Sequence, residues 1–317
     1  MLSALRAFLT RLIDYAGLFP PASLALEPAL RNYAAYCAAP EAWMLARFIC
    51  PAAQLADLTR YIALFSETSP LEISALGPRA NTADEFLAAL ESSLKKMAAF
   101  SVEHGPAVSL PAIELSIPAS VRGRAALRAL LTASAQLLAT SPAPLTPFFE
   151  IIPGPDGKQN IADAVEAIAE HNAHRSHPAG FKLRTGGVTA EAFPSPELIA
   201  FTVTFCHDQG VPLKCTAGLH HPIRRYDESV QTKMHGFVNV FGAGLLAHAH
   251  ALNASTVQAI LADEDPAHFC FSDDGFAWQD LHASTETIAA ARQTALLSFG
   301  SCSFEEPRDD LRALGWL

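Results

Sequence analysis

The feature that most constrains this chain is an alternation. Short apolar, β-rich runs recur along it, separated by Ala- and Leu-rich stretches of helical period. Eight such runs can be marked, at 12–18, 43–50, 71–76, 111–117, 147–152, 180–184, 211–216 and 236–241. Helical stretches lie between them at 24–38, 52–66, 82–103, 119–139, 160–174 and 195–209, and two more follow at 254–262 and 284–299. Asn81-Thr82 ahead of Asp84-Glu85, and Ser195 ahead of Pro196, are helix-start signals. Strands alternating with helices imply a parallel sheet, and eight of them over about 250 residues match a closed barrel. A doubly wound open sheet is the rival, but no G-x-G-x-x-G turn follows any early strand. No Pro-, Gly- or Ser-rich linker divides the sequence and no internal repeat is evident. The expected fold is therefore α/β, a single (β/α)8 TIM barrel over 1–317 with extra C-terminal helices.

Composition narrows the class of function. The net charge of −10 is spread along the chain without a basic block, which argues against a nucleic-acid partner. No apolar run reaches the roughly 18 residues of a membrane span. The opening segment is interrupted by Arg6 and Arg11 and reads as an amphipathic helix rather than a signal peptide. The six cysteines form no C-x-x-C pair, so reduced thiols and a cytoplasmic location are expected.

Strand parity then supplies chemistry. Successive side chains on a barrel strand point alternately to the helices and to the interior. With Phe181 and Leu183 outward, Lys182 and Arg184 turn inward; with Val211 and Leu213 outward, Lys214 and Thr216 do. The same reading turns in Glu114, Glu150 and Asn239, together with Asp14 and Arg47. Such groups are seldom buried unless paired. Charges converging near strand C-termini mark the place where barrel enzymes keep their sites, and suit an anionic or carbonyl-bearing small molecule. Two neighbouring lysines go further. An unprotonated amine adds to carbonyls, and a second cation lowers its pKa, so Lys182 is expected to be a free amine tuned by Lys214. Glu150 or Glu114 would shuttle protons.

Lys182-Leu183-Arg184-Thr185-Gly186, followed some thirty residues later by Lys214-Cys215-Thr216-Ala217-Gly218, resembles the two lysine strands of deoxyribose-phosphate aldolases, which are class I aldolases on TIM barrels. The resemblance covers about 40 residues. It implies a Schiff-base role for Lys182 and a tuning role for Lys214, with Glu114 the candidate counterpart of an aspartate on an earlier strand. Arg184 stands where the family has a small hydroxyl residue, and Ala217 replaces the first glycine of a phosphate-binding pair.

Other constellations compete. His220, His221 and His235 could bind a metal with Glu150, although no two share one helix at ligand spacing. His220 alone would serve as an acid/base, with His221 touching substrate. Gly186 and Gly187 after the sixth strand, and Gly242 and Gly244 after the eighth, could present backbone amides to an anion or be ordinary turn residues, and Thr185 would contact substrate. The prolines of Phe19-Pro20-Pro21 stiffen the loop after the first strand. Residues 220–234 read as a lid loop, and 304–316 as a closing strap or a contact between copies in a homo-oligomer. Three functions stay open: a cofactor-independent, aldolase-like lyase using a lysine imine, a metal-dependent hydrolase or isomerase using the histidines, and a non-catalytic barrel binding a small anion.

Overall fold

The computed structural model describes residues 2–154, 156–173 and 177–317, so position 174, the end of one expected helix, lies outside the described residues. Eight parallel strands close into a barrel: β1 (Ile13–Tyr15), β2 (Leu45–Pro51), β3 (Leu71–Leu76), β4 (Val108–Ser116), β5 (Thr146–Glu150), β6 (Gly180–Arg184), β7 (Leu213–Thr216) and β8 (Leu296–Ser301). Each pairs with its neighbour in sequence, and β8 pairs with both β7 and β1 to complete the ring. The chain is a (β/α)8 barrel. Its helices start where the capping residues stand. Thr82 accepts from the Glu85 amide while Glu85 reaches back to the Asn81 amide, and Ser195 accepts from the Leu198 amide.

The eighth strand is not where the pattern placed it. Residues 236–241 begin the helix Phe237–His250, and β8 starts instead near the end of the expected helix 284–299 and runs past it, after the helix Thr285–Thr294. The physical reason is burial. Eleven consecutive residues of Phe237–His250, from Phe237 to Ala247, are buried, and an element that is apolar all round has no period to distinguish helix from strand. Gly242 and Gly244 are packing residues in that helix, because a Cβ on them would meet the Phe276 ring and the Leu296 side chain. They present no amide to a ligand. The segment 52–64 is a 3-10 helix, β1 is shorter than expected, and 225–227 and 232–234 pair as a small antiparallel ribbon within the loop after β7.

Parity holds on the other strands. Ile113, Leu115, Phe149, Phe181 and Leu183 join the hydrophobic layer between sheet and helices. The interior takes the alternate residues. Gly180 is glycine for space: a Cβ there would come within 2.6 Å of the Phe148 ring, which fills the barrel beneath Lys214.

Arg292 closes the ring from below. Its buried guanidinium donates to the carbonyls of Phe8 (2.9 Å) and Thr10 (3.0 Å) ahead of β1, and to those of Leu296 and Leu297 in β8. Burial lowers its pKa to about 9. Replacing it leaves buried carbonyls without donors, so Arg292→Met is expected to cost on the order of 3 kcal/mol. The measurement is the urea midpoint, which should fall at unchanged slope.

Candidate active site

The interior charges meet at the C-terminal end of the barrel, and one carboxylate joins them. Glu114 of β4 is buried, with Lys182 of β6 ion-paired to its Oε2 at 2.8 Å and Lys214 of β7 to its Oε1 at 2.8 Å. Ser74 of β3 donates to the same Oε1 at 2.7 Å. Lys182 also contacts Glu150 of β5 at 2.9 Å, and Lys214 is bonded to Asp14 of β1. Asp14 is completed by Ser298 of β8 (2.6 Å) and by the backbone amide of Arg47 (2.9 Å), whose guanidinium lies 3.6 Å away. Arg184 donates from Nε to Glu150 at 2.8 Å. Six of the eight strands thus contribute an ionic or backbone-held charged group, and two more supply serines.

The two lysines differ in depth. Lys214 is wholly enclosed, its ammonium 5.6 Å from the centre of the Phe148 ring. Lys182 reaches a cavity of about 400 Å³, which Glu114, Glu150, Arg184, Thr216, Gly187 and His220 also line, with Phe19, Pro20 and Pro21 on its rim. Asp14 and Arg47 underlie the cavity without lining it.

The electrostatics correct the expectation for Lys182. Burial works to lower its pKa, but the charges of Glu114 and Glu150 outweigh it and hold the ammonium form above its ordinary value. In the same way burial would raise Asp14, Glu114 and Glu150, and the neighbouring cations instead hold all three below the ordinary carboxylate range. The resting site contains ammonium and carboxylates, not a free amine.

The histidines do not converge. His220 Nδ1 contacts Glu306 at 3.1 Å and Cys302 Sγ at 4.0 Å. His221 binds Asp310 at 2.6 Å, and His235 is held between Pro194 and Arg224 outside the cavity lining. Among the described residues no three His, Cys, Asp or Glu side chains are placed to hold a metal ion. Asn239 is also displaced, because its segment is helical. It accepts from the Arg224 amide and donates to the carbonyls of Ile260 and Asp263. Thr185 ties the loops after β6 and β7 by donating to the Ala217 carbonyl at 2.5 Å, and Gly186 lets those loops touch. Ser74, Ser298, Phe148, Cys302, Glu306 and Arg79 belong to the site or its shell and escaped sequence reasoning. Only the inward parity of Ser74 and Phe148 could have found any of them.

The segment expected as a strap or a contact between copies packs against the barrel. The helix Glu305–Ala313 lies over the mouth, joined to the loop after β7 through His220 and His221, and to Glu41 through Arg308 (3.2 Å) and Arg312 (2.7 Å).

No protein-family model matches the sequence, and no curated protein sequence matches it. Among solved structures, a lysine/ornithine decarboxylase from Vibrio vulnificus complexed with cadaverine is 10% identical with a TM-score of 0.41, over 94% of this chain and 58% of that one. A homocysteine methyltransferase from Escherichia coli in its apo form is 14% identical with a TM-score of 0.34, over 97% and 95% of the two chains. Likeness at that level carries no functional argument, and the barrel rests on its own strand pairing. Among the described residues no helix is long and apolar enough to cross a membrane.

Two predictions follow from the ionic partners. Lys214→Met removes the bonded ammonium from Asp14 and one of two from Glu114 in the interior, and is expected to cost about 3–5 kcal/mol near neutral pH. The penalty should shrink in acid as the stranded carboxylates protonate. In the wild type the sign is opposite. Carboxylates held below their ordinary values of 3.8 and 4.5 contribute stability that is complete above those values and lost as pH falls beneath them. Denaturant melts of both proteins between acid and neutral pH measure the two trends.

The second concerns the strap. Burial works to lower the pKa of His220, yet its bonds to Cys302 and Glu306 raise it to about 9. Its contribution is complete below about 6.5 and disappears as pH rises through about 9. An imidazole NMR titration should place its midpoint there, and Glu306→Gln should lower the midpoint by about one pH unit.

Proposed function

We propose that this chain is an enzyme of the lyase type, aldolase-like, which acts on a small carbonyl compound by forming an imine at Lys182 and needs no cofactor for that step. The observation that carries the reading is the position of the Lys182 ammonium, at the cavity wall between two carboxylates, with Lys214 beneath on the far oxygen of Glu114. The resemblance of its two lysine strands to deoxyribose-phosphate aldolases points the same way. Free thiols at all six cysteines accord with a reducing compartment such as the cytoplasm.

The raised pKa is compatible with this chemistry because the charge is conserved. Glu150 takes a proton from the Lys182 ammonium, and the freed amine adds to the carbonyl carbon. The carbonyl oxygen collects two protons, one through Glu150 and one from the amine nitrogen, and leaves as water. The product is a protonated imine, so one cation replaces another between Glu114 and Glu150. The positive charge stays between the same two carboxylates, with the single N–H of the iminium left to donate to one of them. A carbon–carbon or carbon–hydrogen bond one atom further out can then break with its electrons drawn toward that nitrogen, and hydrolysis restores the amine. Glu150 suits the shuttle better than Glu114. Its other partner is the half-exposed Arg184, whereas Glu114 is wholly buried and bears both Lys182 and Lys214.

One observation favours a second reading. A lysine held firmly as ammonium can polarise a carbonyl without attacking it, leaving Glu150 to remove an α-proton. Borohydride separates the two. With a small aldehyde or ketone that turns over, the reduced adduct's mass should appear on the peptide carrying Lys182, and Lys182→Met should abolish both labelling and turnover. Turnover without an adduct would establish the non-covalent course, and an adduct on Lys214 would exchange the roles of the lysines.

A further inference from the structure

Arg184 and Arg79 have no structural task that uses up their charge. Arg184 sits at the end of β6, two residues beyond Lys182 on the same inward face. It spends only Nε on Glu150, and its side chain stays 42% exposed. Among the described residues neither of its Nη atoms has a carboxylate partner, and Arg79, in the loop after β3, has none at all. Both residues line the cavity that Lys182 enters.

The charge count is also unbalanced. Arg79, Lys182 and Arg184 line the cavity against Glu114 and Glu150, one positive charge in excess. Beneath it, Lys214 and Arg47 face Asp14, which adds a second. His220 and Glu306 offset each other. A mouth with surplus cations and unspent guanidinium donors is built for an oxyanion.

The reach of the site selects among oxyanions. Lys182 and Arg184 are bonded to the two oxygens of a single carboxylate, Glu150, at 2.9 and 2.8 Å. The carbonyl-accepting amine and the anion-accepting fork are therefore separated by no more than one carboxylate and two hydrogen bonds. An anion on a long arm would overshoot that gap, and a planar, two-oxygen group matches a guanidinium fork. We infer that Arg184, assisted by Arg79, forms a carboxylate-binding edge of the site, and that the substrate is a short oxo acid with its carbonyl close to its carboxylate. The carbonyl half of this inference rests on the imine reading above, and the carboxylate half does not.

The test uses matched pairs of carbonyl compounds with borohydride, reading the adduct on the Lys182 peptide. Pyruvate is paired with acetone, and glyceraldehyde 3-phosphate with glyceraldehyde. Pyruvate should half-saturate labelling at a concentration about tenfold or more below acetone, the ratio expected for one charge-assisted contact. Arg184→Met should collapse that ratio, and Arg184→Lys, which keeps the charge without the fork, should restore part of it. A larger ratio for the phosphorylated pair, or a pyruvate ratio that Arg184→Met leaves unchanged, would overturn the carboxylate assignment. Thermal melts with oxamate, whose amide forms no imine, and with inorganic phosphate test the anion half separately. Oxamate should raise the melting temperature of the wild type and not of Arg184→Met. That result without any labelling would end the imine reading and leave the carboxylate site standing; labelling with neither a pyruvate preference nor an oxamate effect would do the reverse.

Discussion

The Glu114 carboxylate is the interaction on which the interior of this barrel depends. Its two oxygens gather β3, β6 and β7 around β4 through Ser74, Lys182 and Lys214. A one-residue slip of β4 would turn this charge into the apolar layer among Leu115 and its neighbours, where no partner waits. The carboxylate therefore specifies strand register as well as chemistry. Buried ion pairs are a weak source of net stability, since well-packed apolar residues often do as well or better. A barrel built only for stability would fill this space with apolar side chains, as Phe148 does beneath Lys214. Keeping three carboxylates and two lysines in the interior is better explained by what they can do to a ligand.

Depth turns two similar lysines into different groups. Lys182 and Lys214 are register partners on adjacent strands, and both share Glu114. What separates them is the surrounding shell. Asp14, Ser298 and Phe148 enclose Lys214, whereas Lys182 has Glu150 and Arg184 on its open side. Local sequence around each lysine carries almost none of this difference, because the enclosing residues come from β1, β5 and β8.

That contrast marks the boundary of what could be read from sequence. Strands β2 to β7 were legible because each has an apolar face toward the helices, and after β3 and β6 a capping residue, Thr82 or Ser195, also marks where the next helix starts. Parity located Lys182, Lys214, Glu114 and Glu150 in one space without any knowledge of the fold's closure. It failed at 236–241, where uniform burial erased the period, and Asn239 moved with it into a helix-capping role. It failed again at β8, where Ser298 and Gly300 face inward with little apolar contrast, and the strand follows a helix with no Gly or Pro between them. The direction of the Lys182 pKa was misjudged for a different reason. Counting the neighbouring cation alone ignores two carboxylates at hydrogen-bond distance, and near opposite charges outweigh both burial and a like charge farther away.

The strap shows a further kind of information that local pattern cannot carry. His220 and His221 stand at the C-terminal end of β7, and their partners Glu306 and Asp310 lie some ninety positions later. These contacts are short in space and long in sequence, so neither spacing nor composition predicts them. Their effect is to fasten the end of the chain over the same mouth where the interior charges converge. His220 belongs to both structures at once, lining the cavity on one side and carrying the strap on the other. A ligand that drew on the His220 proton would weaken its bond to Glu306. One imidazole thus joins the cavity wall to the segment that lies across it.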